Sequence, residues 1–130
     1  MKFKPNCYLA FVLDEKSKAR LLDIFPPKYS KVYAHHSTIQ FKITSSNLED
    51  FSDLFGVTKI DVYGYAHKPG VECAAVSING NKNRRDGSFY HITISVQPPH
   101  KPVESNNLKN DINFLKGHYT LTGEVKLVEM

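Results

Sequence analysis

The chain has 130 residues, of which 41% are hydrophobic and 23% charged, and this balance is typical of one soluble globular domain. No apolar run approaches the roughly 18 residues that a membrane span needs, so we expect no interaction with a membrane. The formal net charge of +4 suits an anionic partner. The basic residues are scattered, however, and do not predict binding to duplex DNA.

Cysteine and histidine usage argues against a disulfide and against a metal cofactor. Cys7 and Cys73 both lie in apolar segments, which predicts buried free thiols in a reducing cytoplasm. No two of the six histidines have ligand-like spacing with a carboxylate nearby. We therefore expect a cytoplasmic protein without metal or other cofactor, and a metal hydrolase is disfavoured.

The first half of the chain predicts strands that alternate with helices. An apolar strand over 7–13 is followed by Asp14, which can cap a helix over 15–25 that ends at Pro26 and Pro27. A strand is predicted over 34–43, and a helix over 47–55 ends at Gly56.

The second half is richer in strands. Two strands over 58–67 and 71–78 are joined by a tight turn, and a polar loop, NKNRRDGS, follows. A strand over 89–96, a short helix over 104–115 and a last strand over 118–128 complete the chain. This order predicts one α+β domain over 1–130 with a mixed or largely antiparallel sheet.

Two of these strands carry the same polar pattern, a histidine followed two residues later by a threonine. They are His36 with Thr38 and His91 with Thr93. Residues two apart on a strand point to the same face, so each strand presents one imidazole beside one hydroxyl. Two such strands facing one cleft would supply two proton-transfer groups and two hydroxyl donors around one anionic centre.

The first of these strands can be read in two registers, because His35 and Ser37 form a second histidine–hydroxyl pair. The apolar residues Ile39, Phe41 and Ile43 share the face of His35 and Ser37 and indicate that this face packs on the core. We therefore favour His36 and Thr38 for the site, with His35 as the less favoured alternative.

The tetrapeptides His36-Ser37-Thr38-Ile39 and His91-Ile92-Thr93-Ile94 resemble the paired signature of the 2H phosphoesterase (LigT-like) superfamily. The resemblance implies two pseudo-symmetric lobes of antiparallel or mixed sheet, with flanking helices, around a central cleft. It also implies that His36 and His91 are the catalytic acid and base, without assigning which is which. Thr38 and Thr93 would donate hydrogen bonds to the phosphate oxygens.

The resemblance implies a substrate with nucleobases, which aromatic side chains could stack against. The aromatic candidates are Tyr8, Tyr33, Tyr65, Phe89, Tyr90 and Tyr119. Members of the superfamily often carry a basic residue soon after the second motif. Here that place holds Gln97, and Lys101 is the nearest cation, with His100 beside it and Lys82, Arg84 and Arg85 on the polar loop.

The expected function is thus a metal-independent phosphodiesterase acting on a nucleotide or short RNA, as a monomer or weak homo-oligomer. The small single-domain build resembles compact phage enzymes of the superfamily that destroy cyclic oligonucleotides used as host immune messengers, which makes immune evasion the leading expectation. RNA-end processing of 2′,3′-cyclic phosphates or 2′-5′ linkages is the alternative within the superfamily. A non-catalytic nucleotide- or RNA-binding module is the alternative outside it.

Overall fold

A computed structural model describes residues 7–129, which form seven strands, one α-helix and two 3₁₀ helices. The strands are β1 (Cys7–Leu13), β2 (Lys31–Val32), β3 (His36–Gln40), β4 (Lys59–Lys68), β5 (Val71–Ser77), β6 (His91–Val96) and β7 (Asn113–Glu129). The helices are α1 (Glu15–Ile24) and the 3₁₀ helices η1 (Leu48–Leu54) and η2 (Pro102–Asp111). Each strand and helix predicted from the sequence is present; β1 has the predicted ends, and the other elements have shifted ends. None of these helices has the length and apolar character needed to cross a bilayer.

Six of the strands close into an antiparallel barrel. Their order is β6-β3-β1-β7-β4-β5, and β5 pairs again with β6 to complete the ring. The short strand β2 continues the line of β3 along the same edge of β6. The expected α+β fold of two pseudo-symmetric lobes with flanking helices is therefore wrong.

The last strand explains why two lobes do not form. β7 has 17 residues, more than the 118–128 segment predicted from the sequence, and it pairs with β1 along one stretch and with β4 along its other edge. One strand thus joins the two halves of the chain in a single sheet. The α-helical content is also smaller than expected, because the second and third predicted helices are 3₁₀ helices.

The only α-helix among residues 7–129 begins where the sequence predicts. The Asp14 carboxylate accepts a hydrogen bond from the Ser17 amide at 2.7 Å, which satisfies one of the free donors of the first helical turn. The Thr122 hydroxyl of β7 donates to the same carboxylate. The cap therefore also fastens the helix to the barrel.

Apolar side chains pack on both faces of the barrel wall. Leu9, Phe11, Ile39, Ile92 and Leu121 belong to the cluster inside the ring and are completely or almost completely buried. A second cluster lies between η2 and the strands beneath it and contains Cys73, Ala75, Phe89 and Leu108. Both cysteines are buried and free, as the sequence predicts. The helix η2 consequently covers part of the outer wall, next to the face that carries the two histidine motifs.

One carboxylate is fully buried within this framework. Glu72 of β5 accepts hydrogen bonds from the Lys28 amide at 2.7 Å, the Tyr65 hydroxyl at 2.6 Å and the Ser95 hydroxyl. Three donors compensate the loss of hydration of the buried carboxyl group. Glu72 therefore links β4, β5 and β6 to the segment that leads into β2.

Candidate active site

A pocket of about 490 Å³ lies on the outer wall of the barrel, over β3 and β6. It is lined by Tyr8, Tyr33, His35, His36, Thr38, Phe41, Arg84, Asp86, His91, Thr93, Pro102, Val103 and Asn106. Six of the nine site residues predicted from the sequence are among them, including both histidines and both threonines.

Strand alternation explains why the motif residues face outward. Ser37 and Ile39 on β3, and Ile92 and Ile94 on β6, are buried almost completely. The residues between them must point away from the barrel interior, since successive side chains on a strand alternate between its faces. The favoured register of the sequence prediction, with Ser37 toward the core and His36 and Thr38 on the opposite face, is therefore the one observed. His35, which the same pattern places on the core face, is exposed instead.

The two motif strands are direct neighbours, and their register sets the arrangement of the four polar side chains. β3 and β6 are antiparallel, and Ser37 lies opposite Ile92. Each histidine immediately precedes this pair on its own strand, so His36 lies beside Thr93 and His91 lies beside Thr38. The two histidines are then diagonal neighbours, about 7–8 Å apart at the backbone. Both imidazole rings line the same pocket.

The tautomer of neutral His91 is fixed by a backbone contact. Its Nδ1 lies 2.9 Å from the carbonyl oxygen of Phe89. A carbonyl oxygen only accepts hydrogen bonds, so Nδ1 must carry the proton. The other ring nitrogen, Nε2, therefore has a free lone pair whenever His91 is neutral. This is the form that can remove a proton from an attacking hydroxyl group.

Both motif histidines are held in the neutral form. Burial lowers the pKa of His91 to about 4, and the nearby Arg84 guanidinium acts in the same direction, while the bond to Phe89 opposes the change. Burial also lowers the pKa of His36 to about 4, with further contributions from His35 and His91. An anion bound between the rings would favour protonation of either one.

Only one of the two motif threonines has a free hydroxyl group. The Thr93 hydroxyl lies 2.8 Å from the Ser105 hydroxyl and 3.4 Å from the Pro102 carbonyl oxygen, both on η2. The Thr38 hydroxyl makes no hydrogen bond within residues 7–129. Thr38 is thus available to a ligand, whereas Thr93 already helps to hold η2 against β6.

Among the described residues that line the pocket, the cation is Arg84, which comes from the loop before β6 and not from the segment after it. Its guanidinium makes two hydrogen bonds to the Asp86 carboxylate, at 3.2 and 2.8 Å. The loop is braced by a backbone hydrogen bond from the Arg84 amide to Ser88 at 2.7 Å and by Lys109, which donates to the Gly87 carbonyl at 2.8 Å. The guanidinium is therefore held in place beside His91.

The mouth of the pocket carries two exposed apolar side chains. Phe41 is 62% exposed and Val103 is 60% exposed. The sequence pattern predicts that Phe41 packs on the core, and this prediction is wrong because β3 ends at Gln40 and the chain bends there. Tyr8 also lines the pocket, with its ring 5.3 Å from that of His36.

Three predicted substrate-binding residues lie away from this pocket. Tyr90 is buried in the barrel interior, because it directly precedes His91 and so faces the opposite side of the wall. Lys101 begins η2, where its amide donates to Glu104 at 2.6 Å. Tyr119 lies on β7 beneath the guanidinium of Arg20. None of the three lines the pocket that holds the two histidines.

The sequence alone does not place several pocket residues, namely Phe41, Arg84, Asp86 and the residues of η2. The basic loop was visible in the sequence, but nothing there distinguished Arg84 from Lys82 or Arg85. The η2 residues come from a segment whose apolar pattern is poor, so its docking on the wall could not be predicted. Within the described range 7–129, no group of His, Cys, Asp or Glu side chains is arranged to hold a metal ion.

Comparison with known proteins gives a similarity of fold but no family. No protein-family model matches the chain, and no curated protein matches it. The fold is similar to that in the crystal structure of a fungal RNA kinase, with a TM-score of 0.62 and 14% sequence identity. The match covers 100% of this chain and 46% of that chain, so the protein spans less than half the length of the kinase. At this identity the likeness shows a shared fold alone.

Proposed function

We propose that the protein is a metal-independent phosphodiesterase that cleaves a nucleotide phosphodiester by acid–base catalysis with His36 and His91. The observation that carries this proposal is the placement of both histidine–threonine pairs on adjacent strands in one pocket. A second feature also supports the proposal: the guanidinium of Arg84 lies beside the same centre. Two imidazoles, a free hydroxyl and a cation are the groups that in-line displacement at phosphorus needs.

His91 is the base in this mechanism. Its Nδ1 proton is committed to Phe89, so Nε2 can accept a proton from a water molecule or from a ribose 2′-hydroxyl. The activated oxygen attacks the phosphorus, and the bond from phosphorus to the leaving oxygen breaks. His36, when protonated, donates its Nε2 proton to that leaving oxygen. Each role contributes about 10²–10⁴-fold to the rate.

The transition state gains negative charge on the non-bridging oxygens of the phosphate. The free Thr38 hydroxyl and the Arg84 guanidinium are the donors suited to those oxygens, because they line the pocket next to His91. Thr93 contributes indirectly, by fixing η2 through Ser105. We assign to Arg84 the phosphate-binding role that the sequence suggests for Lys101.

The substrate class we propose is a ribonucleotide with a strained or exposed phosphodiester. The likeness to an RNA kinase favours RNA as the substrate, so the RNA alternative suggested by the sequence, an end that carries a 2′,3′-cyclic phosphate, becomes the first candidate. A cyclic oligonucleotide messenger, the leading expectation from the sequence, becomes the second candidate, because no feature of the pocket selects a ring. The apolar mouth formed by Phe41 and Val103 suits a nucleobase next to the scissile phosphate.

The experiment is a turnover assay in the presence of chelator. The substrates are 2′,3′-cyclic mononucleotides, RNA with a terminal cyclic phosphate, 2′-5′ oligoadenylate, and cyclic di- and trinucleotides, with products followed by chromatography. His36→Gln and His91→Gln are compared with His118→Gln, a control on the exposed part of β7. We expect chelator-resistant turnover that falls at least 100-fold in the first two variants only.

Two results would overturn the proposal. Turnover that persists in either pocket variant would mean that other groups carry the reaction. Binding of a nucleotide by the folded protein without any product would instead establish a non-catalytic nucleotide- or RNA-binding module.

A further inference from the structure

His35 and His36 are in direct contact through the same ring atom. Their Nδ1 atoms lie 3.0 Å apart, their ring centroids are 5.1 Å apart, and the planes meet at 81°. This edge-on geometry is that of a hydrogen bond between two imidazoles. Consecutive residues of a strand point to opposite faces, so such a contact requires an interruption of the strand.

The interruption lies at Ala34. This residue has a φ of 50°, in the left-handed region that alanine rarely adopts, and it is completely buried. β3 begins only at His36, which leaves His35 outside the strand, with its carbonyl oxygen accepting from the Leu13 amide at 3.0 Å. The backbone therefore brings His35 to the same pocket as His36.

The contact restricts the protonation states of the pair. A hydrogen bond between two Nδ1 atoms needs a proton on one and a lone pair on the other. This hydrogen bond breaks if both rings are charged. While it is intact, the two rings together can therefore carry at most one proton more than in their neutral forms. His35 is exposed to solvent, whereas His36 is largely covered by its neighbours. The route from bulk water to the His36 ring through hydrogen-bonding side chains therefore runs through His35.

We propose that His35 is a positioning residue that sets the tautomer of His36 and delivers the proton His36 gives to the leaving group. This inference rests on the proposed function. Neutral His35 donates its Nδ1 proton to His36, so neutral His36 carries its own proton on Nε2, toward the reaction centre.

The proton that the leaving oxygen gains is replaced from water, and the proton that His91 takes from the nucleophile returns to water, so a turnover leaves no net change in bound protons. His35 takes a proton from water at Nε2 and passes its Nδ1 proton to Nδ1 of His36. His36 then transfers its Nε2 proton to the leaving oxygen, as the bond from phosphorus to that oxygen breaks. Afterwards both rings are neutral again, each with its proton moved from one nitrogen to the other. A return to the starting tautomers by exchange with solvent completes the cycle.

No other ionisable group in the described part of the pocket competes for this role. The remaining titratable or charged residues that line it are Tyr8, Tyr33, Arg84, Asp86 and His91. None of them hydrogen-bonds to His35 or His36; Arg84 and Asp86 pair with each other, and His91 with Phe89. The Tyr8 ring is tilted against the His36 ring, with centroids 5.3 Å apart, and among the described residues its hydroxyl makes no hydrogen bond to either histidine.

The first test is the tautomer of His36, which needs no substrate. Nitrogen-15 NMR of the imidazole rings at pH 7 distinguishes protonated from unprotonated ring nitrogens. We expect the Nε2–H form of His36 in the wild type and in His35→Asn, whose side-chain amide can donate to Nδ1. In His35→Ala we expect a mixture of tautomers, with His91 unchanged as an internal control. An unchanged His36 tautomer in His35→Ala would overturn the positioning role even if the protein proves to be an enzyme.

The second test separates proton delivery from positioning. We expect kcat to fall about 10–100-fold in His35→Ala and in His35→Asn, with KM nearly unchanged, and we expect added imidazole to restore kcat in His35→Ala. His118→Gln should keep the wild-type kcat. A kcat in His35→Asn equal to that of the wild type would overturn the relay. A loss in His35→Ala that imidazole does not restore would also overturn it.

Discussion

Arg84 and Asp86 form a two-point ion pair inside the pocket, with Nε and Nη2 of the guanidinium each bonded to a different carboxylate oxygen. The Arg84 side chain is only 9% exposed, although it belongs to a polar loop. Asp86 itself is half exposed. The pair therefore holds a buried guanidinium in one orientation and leaves its remaining N–H groups for an anion.

Replacement of Arg84 by alanine should weaken substrate binding and catalysis together. Charge-assisted hydrogen bonds contribute about 1.5–3 kcal/mol, so kcat/KM should fall about 10–100-fold. Arg85→Ala is the matched control, because Arg85 lies next in the same loop but pairs with Asp50 and covers Phe51. Steady-state kinetics of both variants measures the difference. Equal losses would show that loop charge, and not a placed guanidinium, attracts the substrate.

Replacement of Phe41 by alanine should raise KM for substrates with a base next to the scissile phosphate. Stacking of a base on an aromatic ring contributes about 1–3 kcal/mol, which corresponds to a change of about 5–150-fold. Phe114→Ala is the control, since Phe114 is 71% exposed but lies on β7, outside the pocket. A phosphodiester without a base should be cleaved equally by all three proteins. Sensitivity of that substrate to Phe41→Ala would point to a loss of local structure.

The two motif histidines should make the fold sensitive to acid. Their pKa values lie near 4 in the folded protein and near 6.5 in the unfolded chain, so the unfolded chain binds protons first as pH falls. The associated stability is present above pH 6.5 and is lost toward pH 4, by about 3 kcal/mol for each ring. Urea unfolding at pH 7, 5 and 4 measures this loss. His91→Gln should flatten the dependence, and His118→Gln should leave it unchanged.

The pH dependence of turnover should differ between kcat/KM and kcat. The reaction needs one protonated and one neutral histidine, and in the free protein both pKa values are about 4. The kcat/KM of the folded protein should therefore fall about tenfold for each pH unit above 5, while loss of the fold should limit it toward pH 4. A bound phosphate raises the pKa values, so the kcat profile should peak at higher pH. Coincident profiles would mean that the substrate anion does not lie between the rings.

Much of the local structure could be predicted from the sequence. Asp14 caps α1 as expected, and the alternation of β3 and β6 correctly separated Thr38 and Thr93 from Ser37 and Ile94. These features depend on residues a few positions apart. The closure of the barrel depends instead on the pairing of β5 with β6 and on the two-sided pairing of β7, which no local pattern encodes.

The candidate site likewise has one part that local sequence patterns predict and another part that they do not. The two histidine–threonine pairs follow from strand periodicity, whereas Arg84 lies in the pocket because a short turn from Arg84 to Ser88 folds the loop toward β6. His35 joins the pocket because Ala34 adopts a left-handed conformation. Neither event has a signature in residue type, since alanine and arginine are common in ordinary loops and strands. Tyr90 lies outside the pocket for a simpler reason. It directly precedes His91, which faces the pocket, so Tyr90 points to the interior of the barrel.

The closed ring has a consequence for how the protein can be divided. β6, which carries His91, pairs with β3 on one side and with β5 on the other, and β3 carries His36. β7 is needed to connect β1 with β4. Neither half of the chain therefore contains a sheet that could fold around its own histidine. If the chain is cut within the turn at Asn79 and Gly80, each fragment should be inactive and unstructured, and a one-to-one mixture should restore both structure and site together.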